Sequence, residues 1–165
     1  MTCKNFLTPN KFKLQIKKLP NFEQYVQSVT VPTISVGPTQ GLPNPFQKIQ
    51  IAGEHMSFNE LQVKFKVDED MDNYFEIFTW MQGLGKPQNY DQYKRLAAAA
   101  PGSGEGPQVD GTLHILNSQS DPSRVIQFYD MWPTELSGFE LDYTLDQIEY
   151  VTATVTFIYT QFAPV

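Results

Sequence analysis

The sequence predicts a mainly β fold of about eight strands with one α-helix, on three observations. Apolar and polar residues alternate with period two in several short segments, as in strands that bury one face. Turns separate these segments, in a chain that holds 12 Pro and 10 Gly. Only one segment places apolar residues at helical spacing. Because 165 residues is the usual size of one domain, we expect a single domain over 1–165.

Two strands are predicted before residue 37. Residues 11–19 alternate cleanly, with apolar side chains on one face and mostly lysines on the other. Pro20 and Asn21 predict the turn that follows. Residues 25–36 are rich in β-branched side chains and predict a strand interrupted at Pro32, because a proline inside a strand marks an edge or a bend.

The next segment is interpreted as a rigid loop leading into a hairpin. Residues 37–46 hold two glycines and three prolines, too many for a regular element. Residues 47–52 and 58–67 are predicted to be two strands joined through a turn at 53–55. The second of these alternates strictly, with Leu61, Val63, Phe65 and Val67 on one face.

One helix is predicted over residues 70–81. Met71, Tyr74, Phe75 and Phe78, with Ile77 and Met81 offset, recur at helical spacing and predict an apolar stripe that packs across a sheet. Acidic residues crowd the start of this segment, where the helix dipole favours negative charge. Gly83 and Gly85 are predicted to end the helix.

Residues 91–109 are interpreted as a flexible loop because their composition is of low complexity. Strands are predicted at 111–117 and 124–131, followed by a turn at Trp132-Pro133 and a long final strand over 151–162. In that strand one face is apolar and the other carries Thr152, Thr154, Thr156 and Thr160. No charge protects this final strand, so we expect its edge to pair with another subunit.

Charge is unevenly distributed along the chain. Residues 1–96 carry 11 basic and 9 acidic side chains, whereas residues 97–165 carry one basic and 9 acidic side chains, which gives the net charge of −6. Affinity for nucleic acid comes from lysine and arginine, so the C-terminal part is predicted not to bind DNA. The absence of a long apolar run predicts no membrane span.

No constellation of residues indicates catalysis. The Asp68, Asp70, Asp72 series lacks the glycine and glutamate that a calcium loop needs, and the glycines before Lys86 lack the spacing of a phosphate-binding loop. His55, His114 and the single cysteine, Cys3, have no metal-ligand spacing. We therefore expect a protein that is not an enzyme and needs no cofactor or metal.

Several blocks of the chain, in this order, resemble the tail tube proteins of contractile-tailed bacteriophages of the T-even type. They are TPNKF near the start, the Ile51-Ala52-Gly53 block within its loop and strand context, the helix ending FTWMQ, and the Trp132-Pro133-Thr134 block with the strand that follows. The resemblance covers about residues 8–90 and 110–160, and the needle protein of type VI secretion is related to this family.

The resemblance implies a β-sandwich or half-barrel with one packed helix. Six copies would form a ring whose inner sheets join into one β-barrel, and stacked rings would form the conduit for genome ejection. Implied partners are further copies, the tail sheath, baseplate and tail terminator proteins, a tape measure protein in the lumen, and DNA that passes without tight binding; no membrane is implied. The implied location is the virion tail, assembled in the bacterial host cytoplasm.

Site residues follow from combining this resemblance with the patterns above. Stacking between rings is predicted to use Gly37, Pro38, Gly41, Pro43, Pro45, Phe46, Gly53, Glu54 and His55. The lumen-facing or subunit-pairing strand is predicted to present Thr152, Thr154, Thr156 and Thr160. Trp132 and Pro133 are interpreted as structural. Three alternatives stay open: a secretion-type needle ring, a monomeric β-sandwich that binds a ligand, and an enzyme.

Overall fold

The fold is mainly β, which confirms the predicted class. The computed structural model describes residues 6–40, 50–87, 90–98, 106–143 and 150–165. Within these residues a short 3-10 helix spans Glu23–Tyr25, and the other elements follow in chain order. They are β1 (Phe12–Ile16), β2 (Val26–Thr30), β3 (Ile34–Gln40), β4 (Gln50–Phe58), β5 (Leu61–Lys66), α1 (Asp72–Gly85), α2 (Tyr90–Ala98), β6 (Val109–Leu116), β7 (Pro122–Leu136), β8 (Thr152–Ile158) and β9 (Gln161–Pro164).

The long strand β7 links two antiparallel layers. Its first part pairs with β6 and β9, and β6 in turn pairs with β1. Its last part pairs with β8, which continues through β5 to β2. Asp130, with φ of 52°, and a register shift between Pro133 and Glu135 lie where the strand passes from one layer to the other. A left-handed residue and a bulge bend a strand at such a point. We call β7–β8–β5–β2 the β2 layer.

The core lies between the two layers. Leu14, Leu113 and Phe128 from one layer belong to the same buried cluster as Phe65 and Phe157 from the other. Edge-to-face ring contacts stabilise this cluster. The ring centroids of Phe22 and Phe65 lie 4.8 Å apart, and those of Phe128 and Tyr159 lie 5.1 Å apart. Trp132 packs against the core and Pro133 is buried, in agreement with the structural role predicted for both.

Helix α1 is where the sequence predicts a helix, but it buries only part of the predicted apolar stripe. Its buried residues are Asn73, Ile77, Trp80 and Gly83, whereas Phe75 and Phe78 are 50% and 46% exposed. The predicted stripe is therefore wrong at Phe75 and Phe78, whereas Ile77 is buried and Tyr74 and Met81 pack against the core as predicted. Asn73 sets the orientation, because its amide donates to the Lys66 carbonyl (2.8 Å) and accepts from the Asp68 N–H (3.2 Å). A polar residue that is hydrogen-bonded in this way is buried at little cost.

Three predicted segments are corrected by the structure. Residues 53–55 lie inside β4 instead of forming a turn, and β4 pairs with β3, so the predicted hairpin partners were wrong. Trp132 and Pro133 lie within β7 and not in a turn. Residues 91–98 of the predicted flexible loop belong to α2. The interruption of the second predicted strand at Pro32 is confirmed, because β2 ends at Thr30 and β3 begins at Ile34.

Candidate assembly surfaces

Strands β3 and β4 form a hairpin that stands apart from the core. They pair only with each other among the described strands, in a sheet of two strands. The β2–β5 ladder continues into this hairpin across residues 31–33, where the Asn59 N–H donates to the Thr33 carbonyl at 3.1 Å. Since β3 has 7 residues, the hairpin extends about 23 Å from the end of the β2 layer.

One face of the hairpin is apolar, and beyond Phe58, which packs against the core, it is uncovered. Ile34 pairs with Phe58 and Val36 pairs with Met56, which places these side chains on one face. Ile34, Val36 and Met56 are 49%, 53% and 56% exposed. On the other face, the hydroxyls of Ser35 and Ser57 lie 2.7 Å apart. An isolated two-stranded hairpin is marginal in water, and an uncovered apolar face of this kind is typical of a surface that binds a partner.

Five of the nine predicted stacking residues come together at an irregularity in this hairpin. Gly37 and Pro38 lie in β3, opposite the stretch of β4 that holds Gly53, Glu54 and His55. The register shifts here, from Val36 opposite Met56 to Pro38 opposite Ala52. The other four, Gly41, Pro43, Pro45 and Phe46, lie outside the described residues. Contact of these residues with a neighbouring ring remains a prediction.

Strand β8 is not an edge strand, which corrects the predicted pairing of this strand with another subunit. It pairs with β5 from Leu61↔Phe157 to Lys66↔Thr152 and with β7 on its other side. Thr152 and Thr154 are half-buried, Thr156 is only 5% exposed, and Thr160 is exposed beyond the end of the strand. The lumen-facing alternative for these threonines remains a prediction.

The unprotected edge belongs to β2 instead. Besides the two strands of the hairpin, β1, β2, β9 and the last part of β7 (residues 132–136) each pair on one side only among the described strands. Lysines at 11, 13 and 17 flank or occupy β1, Pro164 ends β9, and the last part of β7 holds Pro133 and Glu135. Charge and proline both discourage pairing with another chain. Strand β2, with the sequence VQSVT, has neither charge nor proline, although a bulge follows Val26. Sequence patterns missed this edge because strand order depends on pairing between distant segments.

A second apolar surface lies at the opposite end of the β2 layer. A cleft of about 620 Å³ is lined by Tyr25, Met71, Phe139, Leu141 and Tyr150, among others. Leu141 and Tyr150 are 77% and 73% exposed. Tyr25 donates to a carboxylate oxygen of Asp68 at 3.1 Å, and this hydrogen bond, followed by the negative charge of Asp68, raises the pKa of Tyr25. Met71 has a φ of 58°, a strained value for a bulky residue.

The outer face of α1 was missed as a surface because its phenylalanines were assigned to the core. The rings of Phe75 and Phe78 meet edge-on at 6.4 Å. Between them in sequence, Glu76 accepts a hydrogen bond from the Asn21 amide at 2.7 Å. Burial raises the pKa of Glu76 despite this hydrogen bond, which acts in the opposite direction.

The described residues show no arrangement suited to metal binding. Within them no group of three or more His, Cys, Asp and Glu side chains could hold a metal ion. His114 contacts the Gln15 side-chain oxygen at 3.1 Å, and Gln15 in turn donates to Glu23 at 3.1 Å. Glu23 also pairs with Lys13 at 2.6 Å, so His114 belongs to a polar network that ties β1 to its neighbours.

Of the helices that the structure describes, none has the length and apolar character to cross a membrane.

Solved structures with this fold come from contractile injection systems. The anti-feeding prophage baseplate contains a chain with a TM-score of 0.66 and 13% identity, and the match covers 99% of this chain and 97% of that one. The anti-feeding prophage tube-terminating cap gives 0.63 and 11%, with coverage of 100% and 94%. The PVC sheath/tube terminator gives 0.61 and 10%, with coverage of 98% and 98%. At these identities the likeness establishes the fold.

Sequence similarity establishes the family. No family model matches the chain. The tail tube terminator protein of Enterobacteria phage T4 is 32% identical over 144 residues, which cover 86% of this chain and 77% of the phage protein. This relative is a structural tail protein and not an enzyme, in agreement with the expected class. This supports the resemblance to T-even phages at the level of tail proteins, without identifying the chain as the tube subunit. The chain belongs to the family of the T4 tail tube terminator protein.

Proposed function

We propose that this protein forms the ring that ends the tail tube of a contractile phage tail. The observation that carries this proposal is the 32% identity to a tail tube terminator over 86% of the chain. The uncovered hairpin and the unprotected β2 edge support it, because exposed apolar faces and unpaired strand edges are surfaces that bind other chains. This proposal replaces the finer prediction of a repeating tube subunit with a component that stops the repeat.

Ring closure would use the two free edges of the β2 layer. At one border lies β2, and at the other lies the last part of β7, residues 132–136, where the described strands pair only with β8. Pairing β2 of one copy with this part of β7 in the next copy joins unlike edges, and such head-to-tail contacts close into a ring when the rotation allows it. Pro133 has no backbone N–H to donate, so the contact uses the other residues of this part of β7. Six copies, as the resemblance implies, would then form one inner barrel without edges.

The hairpin would dock onto the adjacent tube ring. One face of a ribbon about 23 Å long and two strands wide is far smaller than the roughly 800 Å² per partner of a stable interface. A single hairpin is therefore too small to hold two subunits together. Several hairpins presented by one ring bind simultaneously, and this multivalency raises the affinity without any new contact. The stacking role proposed for Gly37, Pro38, Gly53, Glu54 and His55 belongs to this contact.

Other partners follow from the family role. We propose a position in the virion tail, in association with sheath and baseplate components, with a tape measure protein and then DNA occupying the lumen. Assembly would take place in the host cytoplasm.

The test separates a terminator from a tube subunit. The purified protein is examined by light scattering after size exclusion and by negative-stain microscopy, alone and mixed with the tube subunit of the same phage. A terminator gives single rings alone and stops tube growth at one end when it is mixed with tube subunits. Long tubes of this protein alone would make it a tube subunit, and an 18.8 kDa monomer under all conditions would contradict both roles.

Ring closure through β2 has its own test. Ser28→Lys with Thr30→Lys places two charges along the free strand, and edge lysines oppose pairing with another chain. We expect monomers in place of rings. The control, Ser118→Lys with Ser123→Lys, makes the same change in net charge at exposed positions of the other layer and keeps the rings. Rings formed equally by both variants would exclude β2 from the contact.

A further inference from the structure

The threonine face of β8 also carries two lysines, which are contributed by β5. Residues directly opposite each other in an antiparallel ladder place their side chains on the same face. Lys64 is opposite Thr154 and Lys66 is opposite Thr152, while Ser28 of β2 is opposite Lys64. These side chains lie on the face of the β2 layer that points away from the core, since Val63, Phe65, Ala153 and Val155 point into it. The face is therefore not neutral.

An aromatic ring accompanies the lysines. The Lys66 ammonium lies 4.3 Å from the centroid of the Tyr150 ring, and this ring is 73% exposed. A tyrosine face attracts an ammonium group and orients it. Lys64 is exposed, and two residues along a strand separate the two lysines by about 6.6 Å. Two nucleotide steps along one strand of DNA span a similar distance, about 6.8 Å.

The acidic groups near this face lie mainly at its borders. Glu135 is opposite Thr156, toward the hairpin end of the face. At the other end, Asp68 and Glu69 follow β5, and Asp68 is engaged by the Tyr25 hydroxyl. The lysines thus form a basic band with hydroxyl groups on both neighbouring strands. Lysine, serine and threonine are residues that contact phosphate oxygens in protein–DNA complexes.

We propose that this band, formed by Lys64, Lys66, Ser28, Thr152 and Thr154 with Tyr150 beside it, contacts the phosphate backbone of DNA. The inference rests on the proposed ring, in which the outward face of the β2 layer lines the lumen. Every copy adds two lysines at the same height, so the ring surrounds the duplex with a basic collar. The terminator then retards or holds the DNA, in contrast to the expected passage without tight binding.

Binding of a fluorescein-labelled 30-base-pair duplex to the full-length protein tests this, by anisotropy at several salt concentrations. We expect Lys64→Gln with Lys66→Gln to weaken binding at least about tenfold at 50 mM salt, and to flatten the salt dependence by about 0.9 for each phosphate that a lysine no longer neutralises. Lys64→Arg with Lys66→Arg preserves binding. The control, Lys17→Gln with Lys86→Gln, removes the same charge from exposed positions elsewhere and leaves the affinity unchanged.

Microscopy of the same samples separates this inference from the ring itself. Rings with equal DNA affinity in the Lys64/Lys66 variant and the control would overturn the collar and leave the ring intact. Wild-type rings that do not bind the duplex at any salt concentration would do the same. Poly-glutamate that binds as tightly as DNA, with the same dependence on the two lysines, would replace DNA with an acidic polypeptide as the ligand. Selective loss of DNA binding from intact rings supports the collar.

Discussion

Ile77 and Phe78 are neighbours on α1 with opposite environments. Ile77 is inaccessible, whereas Phe78 is 46% exposed. We expect Ile77→Ala to lower the free energy of unfolding by about 2–5 kcal/mol, because it leaves a cavity in the core. Phe78→Ala is expected to change it by no more than about 0.5 kcal/mol in the monomer. Urea denaturation of both variants checks this, and a larger loss for Phe78→Ala would restore the core position predicted for Phe78.

Thr154 and Thr156 are also expected to differ. Thr156 is only 5% exposed, so a lysine at this position must be buried without a partner or displace its neighbours. Thr154 is half-buried on the open face beside Lys64, where a lysine side chain can reach water. We therefore expect Thr156→Lys to lower the melting temperature clearly and Thr154→Lys to be tolerated. Equal melting temperatures in thermal unfolding would contradict this difference.

Tyr159 makes stability depend on alkaline pH. Its hydroxyl donates to the Asn59 carbonyl at 2.6 Å, and burial raises the pKa of Tyr159 from 10.0 to about 12. The folded state therefore retains the phenol proton over a pH range in which the unfolded state loses it. The contribution of Tyr159 to stability is complete below pH 10 and is lost as the pH rises from 10 to about 12. We expect Tyr159→Phe to flatten the fall in unfolding free energy over this range, relative to wild type.

At the scale of elements, the proposed docking role of the hairpin can be tested without changing the stability of the monomer. Its apolar face is already exposed in the single chain, so Val36→Asp with Met56→Asp should leave monomer stability almost unchanged. The same charges would be buried against a tube subunit, and binding to the tube should be lost. Ser35→Asp with Ser57→Asp, on the opposite face, is the matched control. Co-sedimentation with tubes measures the difference, and equal binding would assign the contact to the other face.

Sequence patterns predict the positions of strands and helices better than they predict which elements pack or pair with one another. The alternation in β1, β5 and β8 reports a buried face, so these strands were found close to their observed bounds. The face of α1 is predicted only in part. Ile77 is buried as expected, but a hydrogen-bonded Asn73 occupies the core side, which an apolar count cannot register, and Phe75 and Phe78 are exposed. The hairpin partners were misassigned because Gly53 indicates a turn locally, whereas pairing with β3 makes it part of a strand.

The same limit applies to the candidate surfaces. Thr152 and Thr154 lie on the outward face of β8, but the lysines beside them come from β5, which lies about 90 residues earlier in the chain, and Thr160 lies beyond the strand. The open edge was assigned to β8 because that strand lacks charge, yet β5 and β7 cover both of its sides. Local composition describes a strand, whereas the order of strands in a sheet decides which one remains open.

For the whole molecule, charge predicts opposite effects of salt on two processes. Each copy carries a net charge of −6, so copies in the proposed ring would repel one another, and screening by salt would favour assembly. DNA binding by lysines weakens as salt rises. We expect the fraction of rings to increase between about 20 and 300 mM salt while DNA affinity per ring falls. Light scattering and anisotropy on the same samples check this, and parallel trends would mean that one process controls the other.

The hairpin and the apolar cleft lie at opposite ends of the β2 layer. A ring of such subunits would have two chemically different sides and would therefore be polar. A tube built from such rings has a direction, so the proposed terminator ring would bind one end of the tube and not the other. The position at which the tail ends and the direction of the tail would then both depend on one difference within each subunit, the hairpin at one end of the β2 layer and the cleft at the other.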